Sequence, residues 1–196
     1  IPGGLLHTNI AVCSVFGAIS GSSLSTAAAV GSVAYPEMSK RNYNEPMVVG
    51  SLAGGGTLGL LIPPSLSLLI YGALTETSIG KLFMGGILPG ILMAILFMLY
   101  IFIRCTKNPK LWNSDTYNEE KLSSSIIDLL KIWPIAFLII AVMGSIVLGI
   151  ATPTEAAGVG VISSLLLGLF WGDLSKDKIF KCFYNSAITY GSIGFV

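Results

Sequence analysis

Long stretches without a charged residue are the feature of this sequence that most restricts how it can fold. Five are present, at 1–36, 46–75, 82–103, 132–154 and 156–172. Each approaches or exceeds the ~20 residues that a helix needs to cross ~30 Å of hydrocarbon. We therefore expect an all-α polytopic membrane protein.

The composition supports this class and excludes others. Hydrophobic residues make up 53% of the 196 residues and charged residues 11%, whereas a soluble globular domain contains ~25% charged residues. The net charge is +1, so no excess of positive charge is available to bind a nucleic acid. These values exclude a soluble enzyme and a disordered tail, and they indicate no nucleic-acid partner.

The basic residues are unevenly distributed between the loops. If each stretch from residue 46 onward crosses the membrane once, ten of the eleven Lys and Arg residues fall on one side, and only Lys81 falls on the other. By the positive-inside rule, the side with ten faces the cytoplasm. These ten are Lys40, Arg41, Arg104, Lys107, Lys110, Lys121, Lys131, Lys176, Lys178 and Lys181.

The charge pattern divides the chain into seven predicted segments. They are a re-entrant hairpin at 1–36, a broken transmembrane helix at 46–75, transmembrane helices at 82–103, 132–151 and 152–172, a cytoplasmic loop with a lipid-contacting interfacial helix at 104–131, and the start of another membrane-bound helix at 179–196.

The first uncharged stretch is too long for one span and is interrupted by small polar residues around Gly21. Two half-helices of about ten to fifteen residues, meeting near the bilayer midplane, would fit its length and leave both ends on one side. We therefore predict a re-entrant hairpin. One full span followed by a separate packed helix is the alternative.

The second uncharged stretch contains glycines at 54, 55, 56 and 59, followed by Pro63-Pro64-Ser65. Prolines remove backbone donors and glycines leave the backbone unrestrained, so an unbroken helix is not expected here. Irregular backbone at membrane depth is tolerated only when it is buried in protein or lines a water-filled cavity. The break therefore predicts a site, whereas a simple proline kink is the structural alternative.

The Ser/Gly cluster at 20–26 places hydroxyl and carbonyl oxygens where hydrocarbon would otherwise lie. Such hard ligands suit a monovalent cation, and the free amides at the start of a half-helix near Ser22 or Ser23 suit a carboxylate. The competing explanation is helix packing, because Gly17 and Gly21, like Gly55 and Gly59, match the small-x-x-x-small pattern.

Enzymatic chemistry finds little support. The G-x-G-x-x-G match at 54–59 lacks the strand and acidic residue of a dinucleotide site, and the three cysteines have no C-x-x-C spacing. His7 is the only histidine, so a multi-histidine metal site is excluded. An intramembrane serine protease would have to pair His7 with Ser20 or Ser22.

Thr152-Pro153-Thr154-Glu155 contains an acidic residue at the edge of an apolar stretch. A proton-relay role is one interpretation. The spacing also matches a capping box, with Thr152 as the N-cap, Pro153 at the first helical position and Glu155 reaching back to the N-cap amide. We favour a structural helix cap.

Several motifs, in this order, resemble the large membrane subunit of TRAP transporters, the DctM type. They are Pro2-Gly3-Gly4-Leu5, Gly17-Ala18-Ile19-Ser20-Gly21-Ser22-Ser23, Pro36-Glu37-Met38, Gly56-Thr57-Leu58-Gly59-Leu60-Leu61-Ile62-Pro63-Pro64-Ser65, Ile70-Tyr71-Gly72, Gly86-Ile87-Leu88-Pro89-Gly90 and Ala151-Thr152-Pro153-Thr154-Glu155-Ala156-Ala157. The Gly-Gly to Pro-Pro-Ser stretch is also similar to the broken helix of sodium-coupled dicarboxylate symporters.

The resemblance implies a non-enzymatic secondary transporter in the bacterial inner membrane. It would import an organic anion, such as a C4-dicarboxylate or sialic acid, by an elevator movement, with sodium as the coupling ion and no other cofactor. Its implied partners are a small membrane subunit (DctQ type) and a periplasmic solute-binding protein (DctP type). A non-catalytic scaffold subunit is the alternative.

The resemblance also implies which residues form the ion and substrate site. Those of the hairpin are Ser20, Gly21, Ser22, Ser23 and Thr26, and those of the broken helix are Gly54, Gly56, Thr57, Pro63, Pro64 and Ser65, with sodium expected at Ser22, Ser23, Gly56 and Thr57. The family builds its site from two inverted repeats, and only the first set of motifs is present. We therefore expect a fragment in which 179–196 begins the second half.

Overall fold

Every regular element in the described part of the chain is helical. The computed structural model describes residues 2–112, 133–170, 172 and 174–194, so the predicted interfacial helix, within 113–131, lies outside the described residues. The α-helices are α1 (Leu5–Ser20), α2 (Ser23–Lys40), α3 (Glu45–Leu61), α4 (Leu66–Leu74), α5 (Ile79–Lys107), α6 (Trp133–Val147), α7 (Pro153–Phe170) and α8 (Lys176–Gly194), and a 3₁₀ turn covers Pro109–Leu111.

Helices α1 and α2 form a helical hairpin. Gly21 reverses the chain between them with φ +60°, a conformation that costs glycine little because it has no Cβ atom. At the other end, the Leu5 amide donates to the Tyr43 hydroxyl at 3.3 Å, which holds the two ends of the hairpin together. The hairpin is therefore present, and its entry into the bilayer from one side stays a prediction.

Both arms of the hairpin are longer than the half-helices expected from the sequence. Helix α1 has 16 residues and α2 has 18, with Pro36 inside it. The last turn of α2 persists beyond Pro36 because Met38 is buried and its sulfur accepts from the Asn9 amide at 3.1 Å. Tertiary packing here outweighs the ~3 kcal/mol helix penalty of an internal proline.

The helix break in the second uncharged stretch covers fewer residues than the glycine run predicts. Helix α3 runs unbroken through the glycine run and ends at Leu61, and α4 begins at Leu66 after a cis Pro63–Pro64 bond. The glycines remain helical because they pack closely against the hairpin. A Cβ atom added to Gly55 would lie 2.9 Å from the Cys13 side chain.

Two groups of buried side chains form the core. The larger joins the hairpin to α3 and α5, and the smaller joins α5 to α6 and α7. Helix α5 contributes to both groups, so it connects them. The larger group contains Leu6, Ile10, Cys13, Val30, Met38, Val48, Leu52, Leu58, Ile101 and Cys105, and the smaller contains Phe83, Met143, Ile146 and Ala156.

Three helical segments of the described chain are long and apolar enough to cross a membrane. They are Glu45–Leu74, in which α3 and α4 together make 30 residues, Ile79–Lys107 and Pro153–Phe170. Leu5–Ser20 and Trp133–Val147 are apolar but shorter. Since α6 has only 15 residues, the predicted crossing at 132–151 is described over a shorter range than expected.

Replacing Gly17 with alanine tests the glycine contact between α1 and α3. The added Cβ atom would lie 2.8 Å from the Gly59 Cα, and because this neighbour is backbone, the helices must separate. We expect Gly17→Ala to lower the stability of the full-length protein in detergent by about 1–3 kcal/mol, measured by thermal unfolding. Gly144→Ala is the control, since a Cβ atom there meets no atom within 4 Å. Equal melting temperatures for the two variants would contradict the contact.

Candidate functional site

The tip of the hairpin lies directly on the break between α3 and α4. The Leu66 amide donates to the Gly21 carbonyl oxygen at 3.1 Å. A Cβ atom added to Gly21 would lie 3.0 Å from the Pro64 carbonyl oxygen, so only glycine fits this approach without displacement. The structure thus joins the two irregular segments of the chain at one place.

Hydroxyl groups hold the shape of the hairpin tip. Thr26 is fully buried, and its hydroxyl donates to the Ser22 carbonyl oxygen at 2.7 Å. The Ser20 hydroxyl lies 2.8 Å from the Thr26 hydroxyl and 3.2 Å from the same carbonyl. The Ser22 hydroxyl accepts from the Ser25 amide and caps α2. Ser20 and Thr26 therefore position the turn.

The two prolines determine which carbonyl oxygens of α3 lose their helical partners. Pro63 and Pro64 have no N–H group, so the carbonyls of Gly59 and Leu60, four residues earlier, cannot receive the usual helical hydrogen bond. The buried Ser65 hydroxyl replaces the lost donor of Leu60 at 2.6 Å. The Gly59 carbonyl is thus left without its usual helical donor, because Pro63 supplies none.

Gly59 is a residue that the predicted site did not include. It faces the hairpin tip, because a Cβ atom there would lie 2.9 Å from the Thr26 hydroxyl and 3.0 Å from the Ser22 carbonyl oxygen. Its position four residues before Pro63 is the sequence signal that would have found it. Gly59 packs closely against the hairpin, and its carbonyl has lost its helical donor. The helix-packing and the binding-site interpretations of the glycine pattern therefore both apply to Gly59.

The predicted residues of α3 and the break separate into two groups. Gly56 lies against the hairpin, since its added Cβ would be 3.2 Å from the Ser23 carbonyl oxygen. Gly54 instead faces the Phe97 ring of α5. Thr57 is exposed, and its hydroxyl donates to the Gly54 carbonyl oxygen at 2.6 Å. The structure therefore brings Gly56 to the tip but places Gly54 and Thr57 elsewhere.

The far side of the break is covered by α5. A Cβ atom at Gly86 would lie 2.9 Å from the Leu61 carbonyl oxygen and 3.7 Å from Pro63. A Cβ atom at Gly90 would lie 2.8 Å from the Ile62 side chain. These two glycines let the backbone of α5 approach the irregular segment, so the break is enclosed by the hairpin on one side and by α5 on the other.

Two helix N-termini meet where the tip contacts the break. Helix α2 begins after Ser22 and α4 begins after Ser65. The first amides of a helix lack intrahelical partners and have a partial positive charge, which favours an anion. The neighbouring carbonyl oxygens favour a cation. The arrangement can therefore attract an anion and a small cation without a charged side chain.

The protease hypothesis finds no support in this geometry. The His7 ring lies in the first turn of α1, with Nε2 2.9 Å from the Pro2 carbonyl oxygen. Ser20 ends the same helix, 13 residues later, which corresponds to a separation of about 20 Å along the axis. His7 is therefore too far from the tip serines to act as their base.

Thr152 and Glu155 form reciprocal hydrogen bonds at the start of α7. The Thr152 amide donates to Glu155 Oε2 at 2.8 Å, and the Glu155 amide donates to the Thr152 hydroxyl at 3.3 Å. These are the two contacts of a capping box. Pro153 occupies the first position of the helix, where its missing N–H costs nothing.

Comparison with known proteins identifies the class as a transporter permease subunit. Residues 1–196 match the family described as "Tripartite ATP-independent periplasmic transporter, DctM component". The chain belongs to this family of multi-pass membrane proteins, which confirms the resemblance given by the sequence motifs.

Curated relatives differ in their named substrates. The chain is 40% identical over 172 residues to the C4-dicarboxylate TRAP transporter large permease protein DctM of Pseudomonas aeruginosa, a match covering 87% of this chain and 39% of the relative. It is 35% identical to the isethionate permease protein DctMQ of Oleidesulfovibrio alaskensis, covering 96% and 29%. It is 31% identical to the sialic acid permease protein SiaT of Haemophilus influenzae, covering 95% and 29%. The chain thus spans less than half the length of each.

Removing the Thr26 hydroxyl tests its role in shaping the tip. Thr26→Val keeps the volume but removes the bonds to Ser20 and the Ser22 carbonyl, so we expect a loss of about 1 kcal/mol in unfolding free energy. Thr26→Ser should restore most of it. Thr106→Val is the control, because that hydroxyl makes the same bond, to the carbonyl of Phe102, at an exposed position. Equal losses in chemical denaturation of Thr26→Val and Thr106→Val would count against the assignment.

Proposed function

We propose that this chain forms one half of the ion and substrate site of a TRAP permease that imports an organic anion with sodium. The observation that carries the proposal is the contact between hairpin tip and helix break, through the 3.1 Å bond from the Leu66 amide to the Gly21 carbonyl. A packed scaffold needs no such junction of two irregular segments at membrane depth, where unsatisfied backbone is costly.

Sodium would bind at the backbone oxygens around this junction together with the Ser23 hydroxyl. Sodium is a hard cation, and carbonyl and hydroxyl oxygens are suitable ligands. Gly59 supplies a carbonyl without a helical donor, and Gly56, three residues earlier in α3, packs against the Ser23 carbonyl oxygen. The Ser22 carbonyl already accepts from Thr26 and Ser20, so its part is to shape the turn. Thr57, whose hydroxyl is bonded to Gly54, would first have to rotate.

The anion would bind at the converging starts of α2 and α4. Their amides favour a negative group by the mechanism that helix N-termini use for carboxylates and phosphates. The substrates named for the relatives, a C4-dicarboxylate, isethionate and sialic acid, share an acidic group. We therefore propose an organic acid as the substrate class, with selectivity among acids set outside this junction.

The remaining parts of the transport cycle follow from membership of the family. A periplasmic binding protein of the DctP type would deliver the substrate to the inner membrane, and a small subunit of the DctQ type would complete the permease. The rest of the large subunit would supply the second half of the site. Because the hairpin, α3 and α5 share one core, they would move together in an elevator transition.

A scaffold role is the second candidate function. The glycine contacts between α1 and α3, such as Gly17 against Gly59, where an added Cβ atom would lie 2.8 Å from the facing Cα, are what a packing subunit requires. Under this hypothesis the breaks are kinks, and substitution at the tip would weaken assembly with the small subunit while leaving the affinity for sodium unchanged.

Sodium-dependent uptake by vesicles containing the full-length permease and its partners separates the two candidates. We expect Ser23→Ala to raise the sodium concentration for half-maximal uptake by about tenfold or more, the effect of losing one bond to a charged group. Ser22→Ala and Thr57→Ala would show whether those hydroxyls also contribute. Ser32→Ala is the control, because the hydroxyl of that exposed serine of α2 donates to the Ala29 carbonyl oxygen, away from the tip. If the sodium dependence of uptake were the same as in the wild type for Ser23→Ala, Ser22→Ala and Thr57→Ala, the sodium site would be contradicted.

The orientation is tested by cysteine labelling of the full-length permease. Ser39 and Thr77 are exposed residues at opposite ends of the α3–α4 segment. In a Cys182→Ser background, we expect an impermeant maleimide to label Thr77→Cys in intact cells and Ser39→Cys only after permeabilisation. The native Cys13 and Cys105 are buried. Labelling in the reverse order would overturn the cytoplasmic placement of the basic loops.

A further inference from the structure

An apolar cavity lies between α1, α3 and α5, away from the hairpin tip. Its volume is about 460 Å³, and its walls include Ile10, Met47, Gly54, Phe97, Tyr100 and Ile101. It passes Gly50, where a Cβ atom would meet no atom within 4 Å. Since the surrounding helices are membrane-embedded, a cavity with such walls is suited to hydrocarbon.

A basic helix end lies next to this cavity. Phe97, Tyr100, Ile101 and Arg104 follow the i, i+3, i+4, i+7 spacing of one helix face, and Lys107 continues the face beyond Tyr100. Arg104 and Lys107 are exposed residues in the last turns of α5. The cationic groups therefore extend the same stripe of α5 that lines the cavity.

The chain holds this basic end close to the start of α3. The Asn44 amide donates to the Leu111 carbonyl oxygen at 3.2 Å, which ties the 3₁₀ turn after α5 to the residue before α3. In the described residues, the one ion pair joins Arg41 to Glu37, and the Glu45 carboxylate accepts from the Tyr35 hydroxyl of α2. Arg104 and Lys107 are thus not neutralised by either of these carboxylates.

We propose that the cavity and the basic end of α5 together bind one anionic phospholipid. An acyl chain would lie against Phe97 and Ile101, and the phosphate would lie near Arg104 and Lys107. The apolar cavity selects a lipid rather than a free phosphate, and the two cations select an anionic headgroup over a zwitterionic one. The inference is independent of the sodium site, because it uses neither the tip nor the break.

Native mass spectrometry of the full-length permease, titrated with dioleoylphosphatidylglycerol or dioleoylphosphatidylcholine, tests the headgroup. The two lipids have the same acyl chains, so their difference reports charge. We expect Arg104→Gln and Lys107→Gln each to weaken phosphatidylglycerol binding by about fivefold, the change in affinity that one basic residue causes at an anionic membrane surface. Binding of phosphatidylcholine should change little. Lys81→Gln, which removes a charge from the opposite end of α5, is the control. Equal losses for Lys81→Gln would overturn the assigned headgroup position.

Filling the cavity tests the acyl-chain position. Gly50→Leu adds a side chain where no neighbour opposes it, and we expect it to weaken binding of both lipids. Gly158→Leu adds the same volume at another glycine with no neighbour within 4 Å and should leave binding unchanged. A photoreactive residue substituted for Tyr100 should cross-link to lipid. This measurement does not use the Gly50→Leu variant, so it tests the proposal even if that variant is unstable. Cross-linking to another part of the permease or to the small subunit, or lipid binding unchanged by Gly50→Leu, would overturn the proposal.

Discussion

The structure depends on satisfying backbone polar groups where the membrane-spanning chain leaves the helical conformation. Hydrocarbon offers no hydrogen bonds, so irregular backbone at that depth needs partners from the protein itself. At the α3–α4 break, the Ser65 hydroxyl replaces the donor lost by Leu60, and the Leu66 amide finds the Gly21 carbonyl. The hairpin and the break therefore stabilise each other, because each supplies partners that the other lacks.

Close helix packing makes this exchange possible. Backbones of α1 and α3 meet at Gly17 and Gly59, where an added Cβ atom would be 2.8 Å from the facing Cα, and α2 reaches α3 at Gly56. The packing and functional explanations of the glycine pattern are consequently not exclusive. Because these glycines have no side chains, the tip can approach α3, and that approach places Gly59 beside the turn at Ser22.

Much of the local architecture could be predicted, and the failures have identifiable causes. The turn at Gly21, the break at Pro63-Pro64 and the Thr152 cap each follow from the chemistry of a few adjacent residues. The glycine run at 54–59 was expected to interrupt a helix, yet it remains helical, as does the segment around Pro36. Burial of Met38 and the contact of Gly55 with Cys13 stabilise those helices more than their poor propensities destabilise them.

The sequence by itself determined the membrane class, the order of the helices and the places where the chain breaks. These properties depend on runs of apolar residues and on Gly, Pro and capping groups, whose effects act over a few residues. The tertiary structure decided which sides of the helices meet, since that depends on helix rotation and register between residues far apart in the chain. It placed Gly59 at the tip and Gly54 against α5, although the two glycines lie within the same helix.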